Sequence, residues 1–369
     1  MNTGNFKNSG ASAEPISVYP LPDKLGGGAR AALVIAASVF MLLSGLWNVI
    51  GFASGDAVLF AGVLVLSWLV YIILGGICAL LWLDCSKVAF LPPAVAFLGS
   101  LGVSFLIGGR MSYSAFFISL FSIFPALCGF IIAVSMKKGA KRTGAILSAA
   151  IGLGLFSTGL LILSAAFSGQ NIGLSHITAT IDSARAAFIE AMQTTSAKLS
   201  EIYGNDISGM DIELAVNSVF NLLPAIICTM FMTVAFFSQL SLLALCRICG
   251  LYHKLEKKDT EFSLSVITAL VFAVSYLMSI ILSSGDSAAL AVFDNLGMML
   301  QPALAVVGLM SVLPKREGNM LRVGCFPLVA VLLLLTFAPA IAFVLLSVMG
   351  TFETFKAARR TNGQDKDKI

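Results

Sequence analysis

Nine stretches of this chain, at 31–54, 57–83, 88–108, 113–135, 143–167, 215–246, 262–284, 288–313 and 323–350, run for twenty or more residues with scarcely a charge. A helix of that length covers the ~30 Å hydrocarbon core of a bilayer. In lipid every backbone N–H and C=O needs a partner inside the protein, which leaves helices or a closed barrel. The ~10-residue alternation of barrel strands is missing. The runs therefore predict an all-α, polytopic transmembrane bundle of about nine helices. Composition agrees: 58% of residues are hydrophobic and 11% charged, against the roughly 25% charge of soluble domains. So few charges cannot cover a water-exposed surface.

The runs divide the chain into a flexible cytoplasmic tail (1–29), a five-helix membrane half (30–167), an extracytoplasmic segment (168–214), a four-helix membrane half (215–350) and a polar tail (351–369). The first run exceeds the ~7–15-residue core of a signal peptide, so it reads as an uncleaved helix. In the segment 168–214, Ile177, Ile181, Ala184, Phe188, Ala191, Leu199 and Ile202 recur at helical spacing, an amphipathic pattern. A shorter helix from about Asp211 leads into the sixth run. These helices lie on the membrane surface or form a lid over an outward-facing cavity.

Orientation follows from the retention of Lys and Arg on the cytoplasmic side. With the N-terminus inside, the inner segments carry fifteen basic residues, among them Lys137, Lys138, Lys141 and Arg142 in "MKKGAKR", and the outer segments carry three, Arg110, Arg185 and Lys198. The basic cluster is thus a topology determinant, and the chain is placed in the plasma membrane. One feature conflicts: nine crossings put residues after 350 outside, yet these include Lys356, Arg359, Arg360, Lys366 and Lys368. Eight or ten crossings would return them to the inner side. The modest net charge of +4 gives no basis for nucleic-acid binding.

Polar side chains within hydrocarbon are costly and mark candidate sites. The sixth run holds Asn217, Asn221 and Gln239 with Pro224; the eighth holds Asp294, Asn295 and Gln301 before Pro302. Asp294, seven residues in from Ser287, lies roughly 10 Å below the outer boundary at ~1.5 Å per residue. These six are the candidate ligand-binding residues, with Asp294, Asn221 and Gln301 expected to converge in one pocket. The bland reading of each Asn or Gln is an interhelical hydrogen bond. Pro224, Pro302, Pro327 and Pro339 interrupt helices as at transporter sites. Cys246, Cys249 and His253 share a helix face but lack a fourth metal ligand, and no metal or other cofactor is called. No G-x-x-x-x-G-K-[ST], G-x-G-x-x-G, H-E-x-x-H or G-x-S-x-G occurs, so catalysis is not expected, and any ATPase must be a separate chain.

"IFPALCGFIIAVSMKKGAKRTGAI" (123–146), "LSEIYGNDISGMDIELAVNSVFNLLPAII" (199–227), "NLGMMLQPALAVVGLM" (295–310) and "LLSVMGTFETFKAARR" (345–360) together resemble the YybS-like family of predicted bacterial membrane proteins, which is distantly similar to the substrate-binding subunits of energy-coupling-factor transporters. The resemblance implies a small-molecule permease-like bundle that docks on a membrane partner subunit, with Ala32 and Ala36 at the docking pattern. The function expected is a transporter-like small-molecule binding or permease component; the alternative is a non-transporting scaffold or assembly factor that binds protein partners.

Overall fold

Long apolar runs give helices throughout the computed structural model, which describes residues 25–54, 57–85, 87–108, 113–167, 174–203, 211–251, 255, 262–283, 288–312 and 338–366. In chain order these are α1 (Gly27–Ala53), α2 (Ala57–Asp84), α3 (Leu91–Gly108), α4 (Tyr113–Phe121), α5 (Phe124–Lys137), α6 (Arg142–Phe167), α7 (Leu174–Tyr203), α8 (Ile212–Asn221), α9 (Leu223–Ile248), α10 (Val266–Leu282), α11 (Ala288–Val312) and α12 (Pro339–Lys366). No strand occurs among the described residues. Eight helices there are long and apolar enough to cross a membrane, and α10, at 17 residues, is shorter. The protein is an all-α, multi-pass membrane bundle. Its outer surface is correspondingly apolar, with Ile267 72% and Leu155 70% exposed, positions that only lipid can cover at low cost.

Among the described residues, the fourth and sixth runs are broken. The fourth stops at Phe121 and restarts at Phe124 before Pro125; the sixth stops at Asn221 and restarts at Leu223 before Pro224. Proline suits a first turn because its missing N–H would have no intrahelical partner there. Pro224 and Pro339 therefore begin helices rather than interrupt them, whereas Pro302 sits inside α11. Pro327 and the first part of the ninth run lie outside the described residues. The last helix runs from Pro339 to Lys366, well past the boundary at 350 expected for a polar tail.

The N-terminal half is built on α2. A side chain at Gly76 would meet Ser241 Cβ at 2.5 Å, and one at Gly129 would meet Ala79 N at 2.5 Å and Gly75 O at 2.7 Å. Glycine thus lets α5 and α9 approach α2 backbone to backbone, the close packing that stabilises helices in lipid. Above these contacts Trp68, Phe124 and Phe231 meet with ring centroids 5.6–5.9 Å apart.

Contacts along the helices fix their directions. Arg30 pairs with Asp84 at 2.8 Å and Asn48 with Tyr71 at 3.0 Å, so α1 and α2 are antiparallel. Lys137 Nζ donates to Trp82 O at 2.7 Å, at the end of α2. Arg142 meets Gln239 while Gly154 faces Phe231, which makes α6 antiparallel to α9. Helices α11 and α12 meet at Gly308 and Gly350, where an added Cβ on either would fall inside the van der Waals envelope of the carbonyl oxygen of Leu346 or Leu304. Ser347 Oγ donates to Gln301 O at 3.0 Å. Contacts of 308 with 350 and of 301 with 347 rise together, so α11 and α12 are parallel.

That direction resolves the conflict over the C-terminal charges. Val312 and Pro339 stand at opposite faces of the bundle, and Lys356 and Arg359 reach the face that carries Arg30, Lys137, Lys138, Lys141, Arg142 and Arg247. Of the alternatives left open for this tail, the described helices favour the one that puts it on the same face as the other basic ends.

Candidate functional site

Four of the six polar residues singled out in the sixth and eighth runs, Asp294, Asn295, Asn221 and Gln301, are spread over three interfaces. Ser279 Oγ of α10 donates a short hydrogen bond to Asp294 Oδ1 of α11. Asn295 serves the break between α8 and α9: its Oδ1 accepts from Ala225 N at 3.0 Å, and its Nδ2 donates to Asn221 O at 2.9 Å and to Ala291 O at 2.7 Å. A continuous helix would join the N–H of 225 to the C=O of 221 directly. The carboxamide spans the gap instead. Asn221 itself is exposed and enters this contact by its backbone alone. Gln301 accepts the Ser347 bond through its carbonyl, and Asn217 is half-buried on α8. The expected convergence of Asp294, Asn221 and Gln301 in one pocket is not formed.

Between these polar interfaces lies a partly open apolar cavity of about 320 Å³, lined by α6, α9, α11 and α12 together with Phe262 before α10. Ile146, Phe236, Phe262, Val306 and Leu346 are among its walls, and among the described residues the hydroxyl of Thr233 is the one polar side-chain group in the lining. None of the six candidate residues lines it. Helix α7 does not cover it either. That helix leans on α8, where Arg185 lies 5.5 Å and Phe188 6.3 Å from the Phe220 ring centroid.

Against two of the cavity's rings, but outside its lining, stands Arg142. The other members of its cluster behave as surface charges: Lys137, Lys138 and Lys141 are exposed. Arg142 is only 4% exposed, as the first residue of α6. Its Nε donates to Gln239 Oε1 at 3.0 Å, and its Cζ lies 5.6 Å from the ring centroids of both Phe236 and Phe262. Both rings line the cavity. Two residues selected for unrelated reasons, one as a charge marker and one as an intramembrane amide, thus meet across the bundle. Cation–π contact and a charge-assisted hydrogen bond hold the guanidinium there.

The cavity walls went unrecognised in the sequence because Phe236, Val306 and Leu346 are indistinguishable from any other apolar residue of a membrane helix. Gly308 and Gly350, which set how α12 lies against α11, were the available signal. Of the Cys-x-x-Cys-x-x-x-His pattern, Cys246 is buried and Cys249 half-buried; His253 lies outside the described residues. Among the described residues no group of three His, Cys, Asp or Glu could hold a metal ion. Comparison of the chain with family models, with curated proteins and with solved structures finds no significant match.

Proposed function

We propose that this protein is a transporter-like component of the plasma membrane that binds a small molecule in the cavity between α6, α9, α11 and α12. The observation that carries the reading is the cavity itself. At about 320 Å³ it falls in the range of ligand sites, ~300–1,000 Å³, which favour the junctions between groups of helices. Its walls come from both sides of the molecule, the body around α2 and the α10–α12 group, so relative movement of the two would open or close it. The YybS-like resemblance supports the same class. On this reading the basic face is cytoplasmic by the positive-inside rule, the start of α1 and the end of α12 lie there, and a separate ATPase or membrane partner subunit supplies any coupling to energy.

A scaffold or assembly-factor role draws support from α7, where Phe188 is 50% and Met192 42% exposed. Purification from native membrane, followed by mass spectrometry of what accompanies the protein, separates the two readings. A small molecule that is lost when Val306→Phe fills the cavity supports binding. A stoichiometric protein companion with no small molecule, unchanged by Val306→Phe, overturns it in favour of the scaffold.

A further inference from the structure

We infer that the cavity takes a small uncharged lipophile, about ten carbons in size, that enters sideways from the bilayer. The inference rests on the cavity being the ligand site, and adds the chemical class of the ligand and its route.

The lining argues against charge and against polar scaffolds. Its described residues are apolar except for Thr233, whose hydroxyl donates to Thr229 O at 2.7 Å and so keeps only acceptor capacity for a ligand. A sugar, nucleobase or amino-acid backbone would bury several groups without partners, and an ion would bury its charge, each at high cost. Arg142 and Gln239 lie outside the lining and are joined to each other by a hydrogen bond, so no head-group site is taken from them. Rings make up much of the wall. Phe236 meets Phe237 at 5.4 Å and Phe262 at 5.5 Å between centroids, both edge to face, and such rings offer broad apolar contact to a hydrocarbon.

The depth argues for lipid as the source. The α9 part of the lining, Met232, Thr233, Phe236 and Phe237, lies in the middle of a helix of 26 residues, ~14–21 Å from its start at ~1.5 Å per residue. An opening at that level meets acyl chains rather than water. Its direction is given by Phe237, which lines the cavity and is 44% exposed. Ile227, Met230 and Ala244, exposed on the same stripe of α9, mark that stripe as the face that lipid covers.

The volume sets the size. An apolar cavity of ~150 Å³ stays dry and holds benzene. About 320 Å³ is roughly twice that, or about ten water-sized groups at ~30 Å³ each. A ten-carbon molecule fits whole at that estimate, whereas a full-length membrane acyl chain does not.

The test uses the full chain in phosphatidylcholine nanodiscs and a diazirine analogue of decanol as photoprobe, with labelled peptides mapped by mass spectrometry. Labelling is expected at 232–237 and 302–309. Unlabelled decanol and naphthalene should compete for it, and decanoate, decyltrimethylammonium and hexadecanol should compete at least tenfold more weakly at equal concentration in the membrane. Val306→Phe should abolish this labelling and leave that of the exposed Ile267 and Leu155 unchanged. Should Val306→Phe not fold, Ala303→Leu in the same lining, expected to lower the labelling several-fold, carries the same test. Decanoate or decyltrimethylammonium competing as well as decanol overturns the uncharged class while leaving the cavity as a ligand site. Labelling of the same peptides by a phosphatidylcholine with its diazirine in the acyl chain, undisplaced by decanol, overturns the free lipophile in favour of a bilayer lipid. Labelling no stronger there than at Ile267, and unchanged by Val306→Phe, overturns lipophile binding. In that case, a small molecule that accompanies the native protein and is lost in Val306→Phe keeps the cavity as a site for another class, and one that is retained removes the ligand site altogether.

Discussion

Asn295 joins the two halves of a broken helix, and removing its carboxamide tests that joint quantitatively. Asn295→Leu keeps the volume but deletes the bonds to Ala225 N at 3.0 Å and Asn221 O at 2.9 Å. Interhelical hydrogen bonds in bilayers average ~0.6 kcal/mol and reach about 1.7 kcal/mol. Leaving both backbone groups without these partners moves the cost toward the upper value for each. The exposure of Asn221 lets water soften one of the two losses, so the expected destabilisation is about 2–3 kcal/mol by these same values. Pro224→Ala supplies the compensating change. Without the ring, the helix can close across 221–225, and Ala225 N–H can reach Asn221 C=O directly. The double variant should therefore recover about half of the loss, a coupling that a double-mutant cycle resolves. Equilibrium unfolding in mixed micelles of dodecyl maltoside and SDS measures each term. A cost below ~0.5 kcal/mol for Asn295→Leu, under the bilayer average for one bond, or strict additivity with Pro224→Ala, would refute the bridging role.

Other expectations follow from single contacts. Gly308→Ala should push α11 and α12 apart, because its methyl group meets the Leu346 carbonyl, with a loss of about 3 kcal/mol, in the range of overpacked cores, in the same unfolding assay; Gly297→Ala, with open space around it, should be neutral or slightly stabilising. Asp84→Ala removes the acceptor of both Arg30 Nε at 2.8 Å and Leu25 N at 3.1 Å and should free the start of α1, read as faster proteolysis before residue 40 and a cost of about 1–2 kcal/mol for a partly exposed pair. Cys78 and Cys128, both buried, should resist a membrane-permeant maleimide in the folded protein and react in SDS; labelling without SDS would contradict the packing of α2 against α5.

Element type was legible because lipid as solvent leaves few options: a charge-free run of twenty residues with no two-residue alternation has to be a helix. Breaks at Ser122–Ile123 and Leu222 were much less so. Proline marks a kink, a first turn or an ordinary membrane residue alike, and only the partners of the freed backbone, Asn295 among them, decide. The direction of the last helix was signalled by Lys356, Arg359 and their neighbours. Counting runs left that signal in conflict with nine crossings, and the Gly308–Gly350 and Gln301–Ser347 contacts decide between the alternatives. For the site, intramembrane polarity led to Asn295 and Asp294, whose partners are structural, while the cavity has apolar walls that carry no distinctive composition. Arg142 was visible as a charge. Its burial depends on Gln239, 97 residues away in sequence, a contact that no local pattern reports.

The parallel course of α11 and α12, which gathers the basic ends on one face and walls the cavity between two groups of helices, can be read most directly by paired reporter fusions. Green fluorescent protein and alkaline phosphatase, fused in turn after Gly139 and after Ile369, should both report the cytoplasmic side, fluorescent and without phosphatase activity. Phosphatase activity at Ile369 together with fluorescence at Gly139 would place the two on opposite sides and contradict the arrangement.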